Sequence, residues 1–275
     1  MTGTPFYKMT GSGNDFVFVD GRRFPVESWS PEAIRRICDR RTGVGGDGLV
    51  ILTPEGADGA RMVYFNADGS RAGMCGNAAL CSTRLAVRLG VAPETGMALQ
   101  TDSGMVRSRC VGPGWAAEIR LPDFPLPVEV ELPTAPGERW MVRATVGVPH
   151  LVIFTEDLAA VPVERRGREL RTHLAFAPDG VNVNFLGRTG SGPDQGWRLR
   201  TYERGVEAET LACGTGTVAA AFALAARGLD RLPLRIASWG GNAFSVSGRI
   251  EERLAAEPWL CGEGRLVFEG RLSEA

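Results

Sequence analysis

The chain has 275 residues, of which 44% are hydrophobic and 23% are charged, and its formal net charge is −1 at pH 7. This length suits one large domain or two ordinary ones, and the composition is that of a soluble globular protein. The near-neutral charge gives no indication of a basic surface that would bind nucleic acid, and the sequence has no polybasic segment that would bind a membrane surface. The N-terminus lacks a signal-peptide pattern, and no apolar run approaches the roughly 18 residues of a membrane span, so we expect a cytoplasmic protein.

The N-terminal half begins with segments whose apolar residues alternate or cluster as they do in strands. These segments are NDFVFVD (14–20), GGDGLVIL (45–52) and MVYFN (62–66). A helix is predicted next, in the stretch CGNAALCSTRLAVRLG, which runs from Cys75 to a glycine of the C-capping type at Gly90. Small and apolar residues on all sides of this segment indicate a buried helix.

The C-terminal half repeats the same order of elements. Strands are predicted in PHLVIFTED (149–157), APDGVNVNFL (177–186) and LRTYER (199–204). A second buried helix is predicted in CGTGTVAAAFALAARG, from Cys213 to Gly228, and in both helices the glycine lies fifteen positions after the cysteine. When the two cysteines are aligned, Tyr64 falls opposite Tyr202.

This internal repeat predicts an α/β (α+β) fold with two pseudo-symmetric halves. Each half is expected to be a curved, mostly antiparallel sheet or barrel around a central helix, with the active site in the cleft between the halves. The boundary is expected in the proline-rich segment 121–138. We therefore assign 1–122 to the N-terminal half and 123–263 to the C-terminal half, and add the C-terminal strand 264–275 to the first half.

The end of the chain contains two further segments with strand character. They are GRIEERLA (248–255) and GRLVFEGRL (264–272), and we expect them to form a hairpin-like pair that closes the fold. The many glycines (36) and prolines (17) are in keeping with a fold that needs many tight turns.

Six cysteines and two histidines are the residues that first suggest metal or thiol chemistry. The cysteines are Cys38, Cys75, Cys81, Cys110, Cys213 and Cys261, and the histidines are His150 and His173. No CxxC pair occurs, so the sequence predicts neither a zinc site nor a redox-active dithiol. We expect four of these cysteines to be small buried hydrophobes, whereas Cys75 and Cys213 stand out by their position.

Both of these cysteines directly precede a glycine and the first turn of a helix. A helix N-terminus presents N–H groups without intrahelical partners and about half a positive charge, which stabilises a thiolate and binds carboxylates. The glycines Gly76, Gly214 and Gly216 allow a ligand to approach the backbone without meeting a Cβ atom.

If both helix starts face one cleft, the carboxylate of an amino acid would lie between two sets of N–H donors. One thiolate would then remove the α-proton while the opposite thiol supplies a proton to the other face, so the configuration inverts without a cofactor or metal. The N–H donors oppose the charge that develops on the carbanion, and one such donor is worth about 2.7–4 kcal/mol in a dry site. The pattern therefore predicts a small-molecule amino-acid substrate.

Six segments spread over nearly the whole chain form a further, more specific set. They are GSGNDFVFVD (11–20), DRRTGVGGDGL (39–49), FNADGSRAGMCGN (65–77), PHLVIF (149–154), GVNVNF (180–185) and YERGVEAETLACGTG (202–216). Together they resemble the diaminopimelate epimerase family of pyridoxal-independent amino-acid racemases and epimerases. The resemblance implies interconversion of LL- and meso-diaminopimelate on the route to lysine and peptidoglycan precursors, by a homodimer that needs no cofactor.

The resemblance also implies roles for individual residues. Cys75 and Cys213 would be the catalytic acid and base, and His150 and Glu203 would flank the reacting amino group. The substrate-binding residues would be Asn14, Asn66, Gly76, Asn77, Asn182, Arg204, Gly214 and Thr215. The backbone of the two helix starts would hold the reacting carboxylate, and Arg204 would grip the distal carboxylate with its two-pronged guanidinium.

Two places depart from the family's pattern. CGNAAL replaces CGNGAR, so that Ala78 and Leu80 stand where the family has Gly and Arg, and Val148 replaces an Asn before the Pro-His pair that would help to bind the distal end of the substrate. A sister racemase for another amino acid is therefore an alternative. Two others come from different classes: a hydrolase that uses one cysteine with His150, and a protein that binds an amino acid without turning it over.

Overall fold

The structure is a computed structural model that describes residues 3–190 and 195–273. The chain divides into two compact units. The first consists of Met1–Arg120 and Cys261–Ala275, and the second of Leu121–Leu260. No helix in the described ranges is long and apolar enough to cross a membrane.

The first unit contains two helices and a series of short strands. In chain order these are β1 (Pro5–Gly11), β2 (Asn14–Asp20), α1 (Pro31–Cys38), β3 (Gly48–Glu55), β4 (Gly59–Asn66), β5 (Arg71–Ala72), α2 (Gly76–Arg88), β6 (Met97–Thr101), β7 (Gly104–Cys110) and β8 (Ala116–Arg120). Short 3-10 turns occur at Val26–Ser28 in this unit and at Leu174–Phe176 in the second.

The second unit follows with a similar series. It contains β9 (Phe124–Pro125), β10 (Val128–Glu129), β11 (Glu138–Val146), β12 (Val148–Thr155), α3 (Val163–Arg171), β13 (Asn182–Thr189), β14 (Gly196–Glu203), β15 (Ala208–Thr210), α4 (Gly214–Ala226), β16 (Leu234–Ser238) and β17 (Ala243–Glu251). The last two strands are β18 (Leu254–Glu263) and β19 (Arg265–Arg271).

The strands of the two units pair in the same pattern. In the first unit the order is β19, β1, β2, β3, β4, β6, β7, β8, with parallel pairing at β2–β3 and β4–β6 and antiparallel pairing elsewhere. In the second unit the order is β10, β11, β12, β13, β14, β16, β17, with parallel pairing at β12–β13 and β14–β16. The short strands β5 and β15 each add to the equivalent partner, β4 or β14.

Each helix of the described chain connects the two strands of one parallel pair. Parallel neighbours require such a crossover, because a tight turn can only join antiparallel strands. The helix α2 packs against every strand of its unit's sheet except the short β5, and α4 packs against β11, β12, β13, β16 and β17. These contacts confirm the predicted mixed α/β fold with two equivalent halves, each around a central helix.

The two central helices also end in the same way. The N–H of Gly90 donates to Val87 O (3.0 Å) and that of Val91 to Ala86 O (2.8 Å), and the equivalent bonds from Gly228 and Leu229 measure 3.1 and 3.0 Å. Both glycines are left-handed, with φ of 64° and 67°. This arrangement satisfies the last helical carbonyls and requires a positive φ, which glycine adopts without steric cost.

The predicted hairpin at the end of the chain is wrong. The segment 248–255 is not one strand, because a turn at Glu252–Arg253 separates β17 from β18, with Glu252 at φ 52°. Strand β19 pairs instead with β1 in antiparallel register, from Pro5 opposite Arg271 to Thr10 opposite Arg265. The chain therefore returns to the first unit after completing the second.

The matched helix ends lead to a stability prediction. Gly90→Ala and Gly228→Ala should each lower the free energy of unfolding by about 1–2 kcal/mol, because a Cβ atom disfavours the left-handed conformation. A Cβ atom at either position meets no described atom within 4 Å, so backbone conformation alone sets this cost. Urea unfolding of the two variants measures it.

The matched control is Gly196→Ala. This glycine has an ordinary φ and equally open surroundings in the described structure, so the substitution should change stability little. If all three variants lost the same free energy of unfolding, the loss at Gly90 and Gly228 could not be attributed to their left-handed conformation at the helix ends.

Candidate active site

Both cysteines singled out in the sequence are N-cap residues of the central helices. Cys75 precedes α2 with φ −134° and ψ 121°, and Cys213 precedes α4 with φ −123° and ψ 106°. Such extended geometry places the side chain beside the first N–H groups of a helix, where the positive end of the helix dipole lies. Each helix has 13 residues, so the dipole behind each thiol is equally long.

The sulfur of Cys213 is surrounded by hydrogen-bond donors. The backbone N–H of Gly216 donates to Sγ at 3.4 Å, and the hydroxyl of Thr215 lies 3.7 Å from the same sulfur. The residue is buried, with 9% of its surface exposed. Hydrogen bonds donated to a sulfur favour its thiolate form, whereas burial acts in the opposite direction.

His150 lies next to this thiol through Thr215. Its Nε2 is 3.0 Å from Thr215 Oγ1, and its Nδ1 is 3.2 Å from the side-chain nitrogen of Asn184. Complete burial, with a smaller contribution from the charge of Arg204, lowers the pKa of His150 to about 3. The imidazole is therefore neutral over the ordinary working range of pH.

Asn182 is the first residue of β13 and Glu203 is the last residue of the neighbouring β14, with Arg204 directly after it. Asn182 Oδ1 accepts a hydrogen bond from the backbone N–H of Arg204 (2.8 Å), and its Nδ2 donates to Pro149 O (3.4 Å). Burial raises the pKa of Glu203, so this carboxyl takes up a proton more readily than an exposed one. In β12 and β13, His150 and Asn182 are direct register partners.

The equivalent part of the first unit holds Asn14 in a fixed orientation. Asn14 Nδ2 donates to Asp47 Oδ2 (2.8 Å), and Asn14 Oδ1 accepts from Asn77 Nδ2 (2.7 Å), which ties it to the first turn of α2. Asp47 is in turn bonded by Arg40 (2.7 Å). These contacts leave the Asn14 amide only one orientation that satisfies both neighbours.

The charges behind Asn14 form a small network. Burial raises the pKa of Asp15, but hydrogen bonds from Arg40 and Lys8 outweigh this effect and lower the pKa to about 2. Lys8 is itself buried and also donates to the backbone oxygen of Gly45. This network supports the loop that carries Asp47, and so supports Asn14.

One polar atom at the start of α2 has no hydrogen-bond partner within the described residues. It is Oδ1 of Asn77, a residue with 4% of its surface exposed. An unsatisfied buried acceptor costs about 1–3 kcal/mol, so a ligand that brings an N–H group to this atom would relieve the cost.

Asn66 is engaged in a turn of its own: its Nδ2 donates to Ser70 Oγ (3.0 Å) and closes the turn after β4.

The structure thus brings the predicted residues together in two groups. Within the first unit Asn14 and Asn77 meet at the helix start that carries Cys75 and Gly76, whereas Asn66 is engaged in its own turn. Within the second unit, contacts link His150, Thr215 and Cys213 at the start of α4, whose first residue is Gly214. Asn182 is the register partner of His150 and accepts from the backbone of Arg204, and Glu203 is the residue before that arginine.

Of the four thiols predicted to be buried, Cys38 and Cys81 are core residues, whereas the prediction is wrong for Cys110 and Cys261, which are only half-buried. Burial raises the pKa of Cys38 to about 11 and that of Cys81 well above its usual range, so both stay protonated.

The two residues of the first helix that depart from the family's pattern, Ala78 and Leu80, are fully buried in α2. Within the described residues, no three His, Cys, Asp or Glu side chains are grouped closely enough to hold a metal ion.

Sequence reasoning missed Asp47, Asn184 and the side-chain role of Thr215. Asn184 lies two residues after Asn182 in GVNVNF, and residues at this spacing share one face of a strand. This spacing could have indicated Asn184 from the sequence, because it places a second Asn on the strand face that carries Asn182, near the same site.

Comparison with known proteins identifies the family. A family model described as diaminopimelate epimerase matches residues 6–116 and 142–252. The chain is 45% identical to the diaminopimelate epimerase of Gemmatimonas aurantiaca over 98% of this chain and 99% of that protein. It is 37% identical to the diaminopimelate epimerase of Aquifex aeolicus over 98% of each chain.

Solved structures show the same fold at low sequence identity. A phenazine biosynthesis protein of the PhzF family from Bacillus anthracis has a TM-score of 0.73 at 15% identity, with 99% of each chain covered. A hydroxyproline epimerase from Agrobacterium vitis has a TM-score of 0.66 at 18% identity, with 99% of this chain and 91% of that chain covered. The fold, the two family-model segments and the near full-length identity confirm the resemblance found in the sequence, and the chain belongs to the diaminopimelate epimerase family.

Proposed function

We propose that this protein is an isomerase that interconverts LL- and meso-diaminopimelate without a cofactor. The observation that carries the proposal is the matched pair of helix starts, each with a cysteine at the N-cap of a buried central helix. The relatives that match over nearly the whole chain are named diaminopimelate epimerases, which supplies the substrate.

Both helix starts bind the same substrate molecule in this proposal. The N–H groups of Gly76, Asn77, Gly214 and Thr215 hold the carboxylate of the reacting centre, and they oppose the additional charge that forms when the α-proton leaves. Cys75 and Cys213 act from opposite faces of the α-carbon, one as thiolate base and the other as thiol acid. Reversing the two protonation states runs the reaction in the other direction.

The remaining polar residues orient the substrate. His150 and Glu203 flank the reacting amino group, and the buried acceptor Oδ1 of Asn77 is a further place for one of its N–H groups. Arg204 takes the distal carboxylate, and Asn14, Asn66 and Asn182 complete the binding site. The fixed amides of Asn14 and Asn182 support this assignment, because a side chain already held in place loses little entropy when a ligand binds.

The activity places the protein in the synthesis of lysine and peptidoglycan precursors, and we propose that it works in the cytoplasm as a homodimer. A mechanism that needs two reduced thiols fits a reducing compartment. The homodimer follows the family resemblance.

The decisive experiment is incubation with LL-diaminopimelate in deuterated water with a reductant, followed by chiral and mass analysis. Meso product with one deuterium at the inverted carbon is the expected result. If deuterium enters the α-carbon of a different amino acid only, the two-thiol reaction would stand but the proposed substrate would be wrong, and Val148 would be the first residue to test. If no amino acid takes up deuterium at its α-carbon, the epimerase proposal would be wrong and the alternative of a protein that binds an amino acid without turning it over would remain.

The two-thiol mechanism predicts a specific pattern in cysteine variants. Cys75→Ala and Cys213→Ala should each lower epimerisation by about 10²–10⁴-fold, the usual contribution of a positioned acid or base. Each variant should still exchange the α-proton of one epimer slowly, and the two variants should exchange opposite epimers, because a single thiol serves one face. Mass analysis of recovered substrate measures this exchange.

Cys110→Ala is the matched control for the thiol variants, because this half-buried cysteine on β7 belongs to neither helix start. It should retain full activity. A hydrolase that depends on one cysteine and His150 would instead tolerate the loss of one of the two N-cap cysteines and would release a cleaved product.

The proposed role of Arg204 predicts an effect on substrate affinity. Arg204→Gln should raise KM for diaminopimelate by about 10–150-fold, since hydrogen bonds to a charged group contribute about 1.5–3 kcal/mol. Arg188→Gln on the exposed part of β13 is the matched control and should leave KM unchanged. An Arg204→Gln variant with unchanged KM and a reduced kcat would contradict a role in binding the distal carboxylate.

A further inference from the structure

Asn184 is a fully buried polar residue on β13 whose side chain contacts His150. We infer that Asn184 is a positioning residue that determines which ring nitrogen of His150 carries the proton, and that it thereby directs the Thr215 hydroxyl to the Cys213 sulfur. This inference deepens the proposed function, because it concerns one of the two proposed catalytic thiols.

The orientation of the Asn184 amide follows from its backbone neighbours. Its side-chain nitrogen lies 3.1 Å from Leu151 O and 3.2 Å from Asn182 O, and both carbonyls can only accept hydrogen bonds. A flipped amide would place oxygen against two oxygens. The carboxamide oxygen is instead bonded by the hydroxyl of Thr201 at 2.9 Å.

This orientation decides the tautomer of His150. Nδ1 lies 3.2 Å from the Asn184 nitrogen, whose two protons are shared among Nδ1 and the two carbonyls. This nitrogen cannot accept a hydrogen bond, so a proton on Nδ1 would lack an acceptor there, and Nδ1 therefore presents its lone pair. The imidazole is buried and neutral, and Arg204 is the charged group that acts on it. Its one proton therefore resides on Nε2, which donates to Thr215 Oγ1 at 3.0 Å.

The tautomer in turn decides where the Thr215 hydroxyl points. Because Nε2–H occupies one lone pair of Oγ1, the hydroxyl proton of Thr215 is available for the sulfur of Cys213, 3.7 Å away. Together with the Gly216 N–H, it supplies a second donor to the thiolate. The opposite tautomer would present an acceptor to Thr215 and turn its proton toward His150.

The backbone at the start of α4 is shaped around this residue. A Cβ atom on Gly216 would lie 2.2 Å from Asn184 Oδ1 and 3.1 Å from Cys213 Sγ, so only glycine leaves room for the amide beneath the helix start. The position of the same offset after Cys75 is Ala78, so in this chain the start of α2 accommodates a Cβ atom at that position.

The test variant is Asn184→Asp, which has nearly the same shape. A carboxylate beside Nδ1 accepts a proton there, which moves the imidazole proton away from Nε2 and reverses the Thr215 hydroxyl. The pH at which Cys213 is alkylated at half its maximal rate should rise by about one to two pH units, the effect of losing one hydrogen bond to a charged group. Peptide-resolved mass analysis after iodoacetamide treatment measures this midpoint, and that of Cys75 should be unchanged.

Two control variants separate positioning from loss of structure and from added charge. Thr201→Val removes the hydrogen bond at the other end of the same amide, and it should leave the alkylation midpoint of Cys213 in place. In a Thr215→Val background, Asn184→Asp should change the alkylation midpoint of Cys213 little. The Thr215 hydroxyl, through which His150 acts on the sulfur, is already absent in that background. A shift of full size in that background would mean that charge alone is responsible and would overturn the inference.

The tautomer can also be observed directly, without substrate and without the Asn184 variant. Nitrogen-15 spectra of the imidazoles should show the Nε2–H form for His150 in the unaltered protein, and His173→Gln assigns the signals of the only two histidines. An Nδ1–H form in the unaltered protein would overturn the inference even if Asn184→Asp fails to fold. Neither measurement requires turnover, so failure of the proposed epimerase activity is distinguishable from failure of the positioning role.

Discussion

The N–H groups at the start of a buried helix need hydrogen-bond partners, and this constraint governs the structure of each unit. Strands can surround α4 because small or apolar residues follow its first turn, and they surround α2 although it carries Ser82, Thr83 and Arg84 in its middle. The C-terminal ends are satisfied internally by the bonds at Gly90 and Gly228. At the N-terminal ends the sequence places a cysteine and a glycine where Ser, Asp or Asn would usually cap the helix, which leaves backbone N–H groups to interact with a ligand.

In the proposed mechanism the internal repeat supplies the two thiols that the reaction needs. One helix start with one thiol serves one face of a carbon, whereas inversion of configuration needs an acid and a base on opposite faces. The surroundings of the two starts nevertheless differ. The second has the chain of Asn184, His150 and Thr215 beside its sulfur, whereas the first has the charged network behind Asn14 and the unsatisfied oxygen of Asn77. Equivalent backbones therefore support thiols with different immediate neighbours.

The sequence predicted the elements that depend on local pattern. Strand alternation and the fifteen-residue spacing from cysteine to glycine located both central helices and the strands before them. The final hairpin was predicted wrongly because Glu252 adopts a positive φ without a Gly or Asn to signal the turn, and because the pairing of β19 with β1 joins opposite ends of the chain. Asn184 was missed because its role depends on contacts with His150 and Thr201, which adjacent strands bring together.

The pairing of β19 with β1 also has a consequence for biosynthesis. The first unit is discontinuous, so the whole second unit is synthesised between β1 and its partner Arg265–Arg271. The second unit is one continuous stretch of chain and can collapse while synthesis continues. Until β19 has been synthesised, one edge of β1 has open N–H and C=O groups, and such an edge is a template for pairing with a wrong chain. Nascent chains are therefore exposed to misassembly at β1 while the second unit is being made.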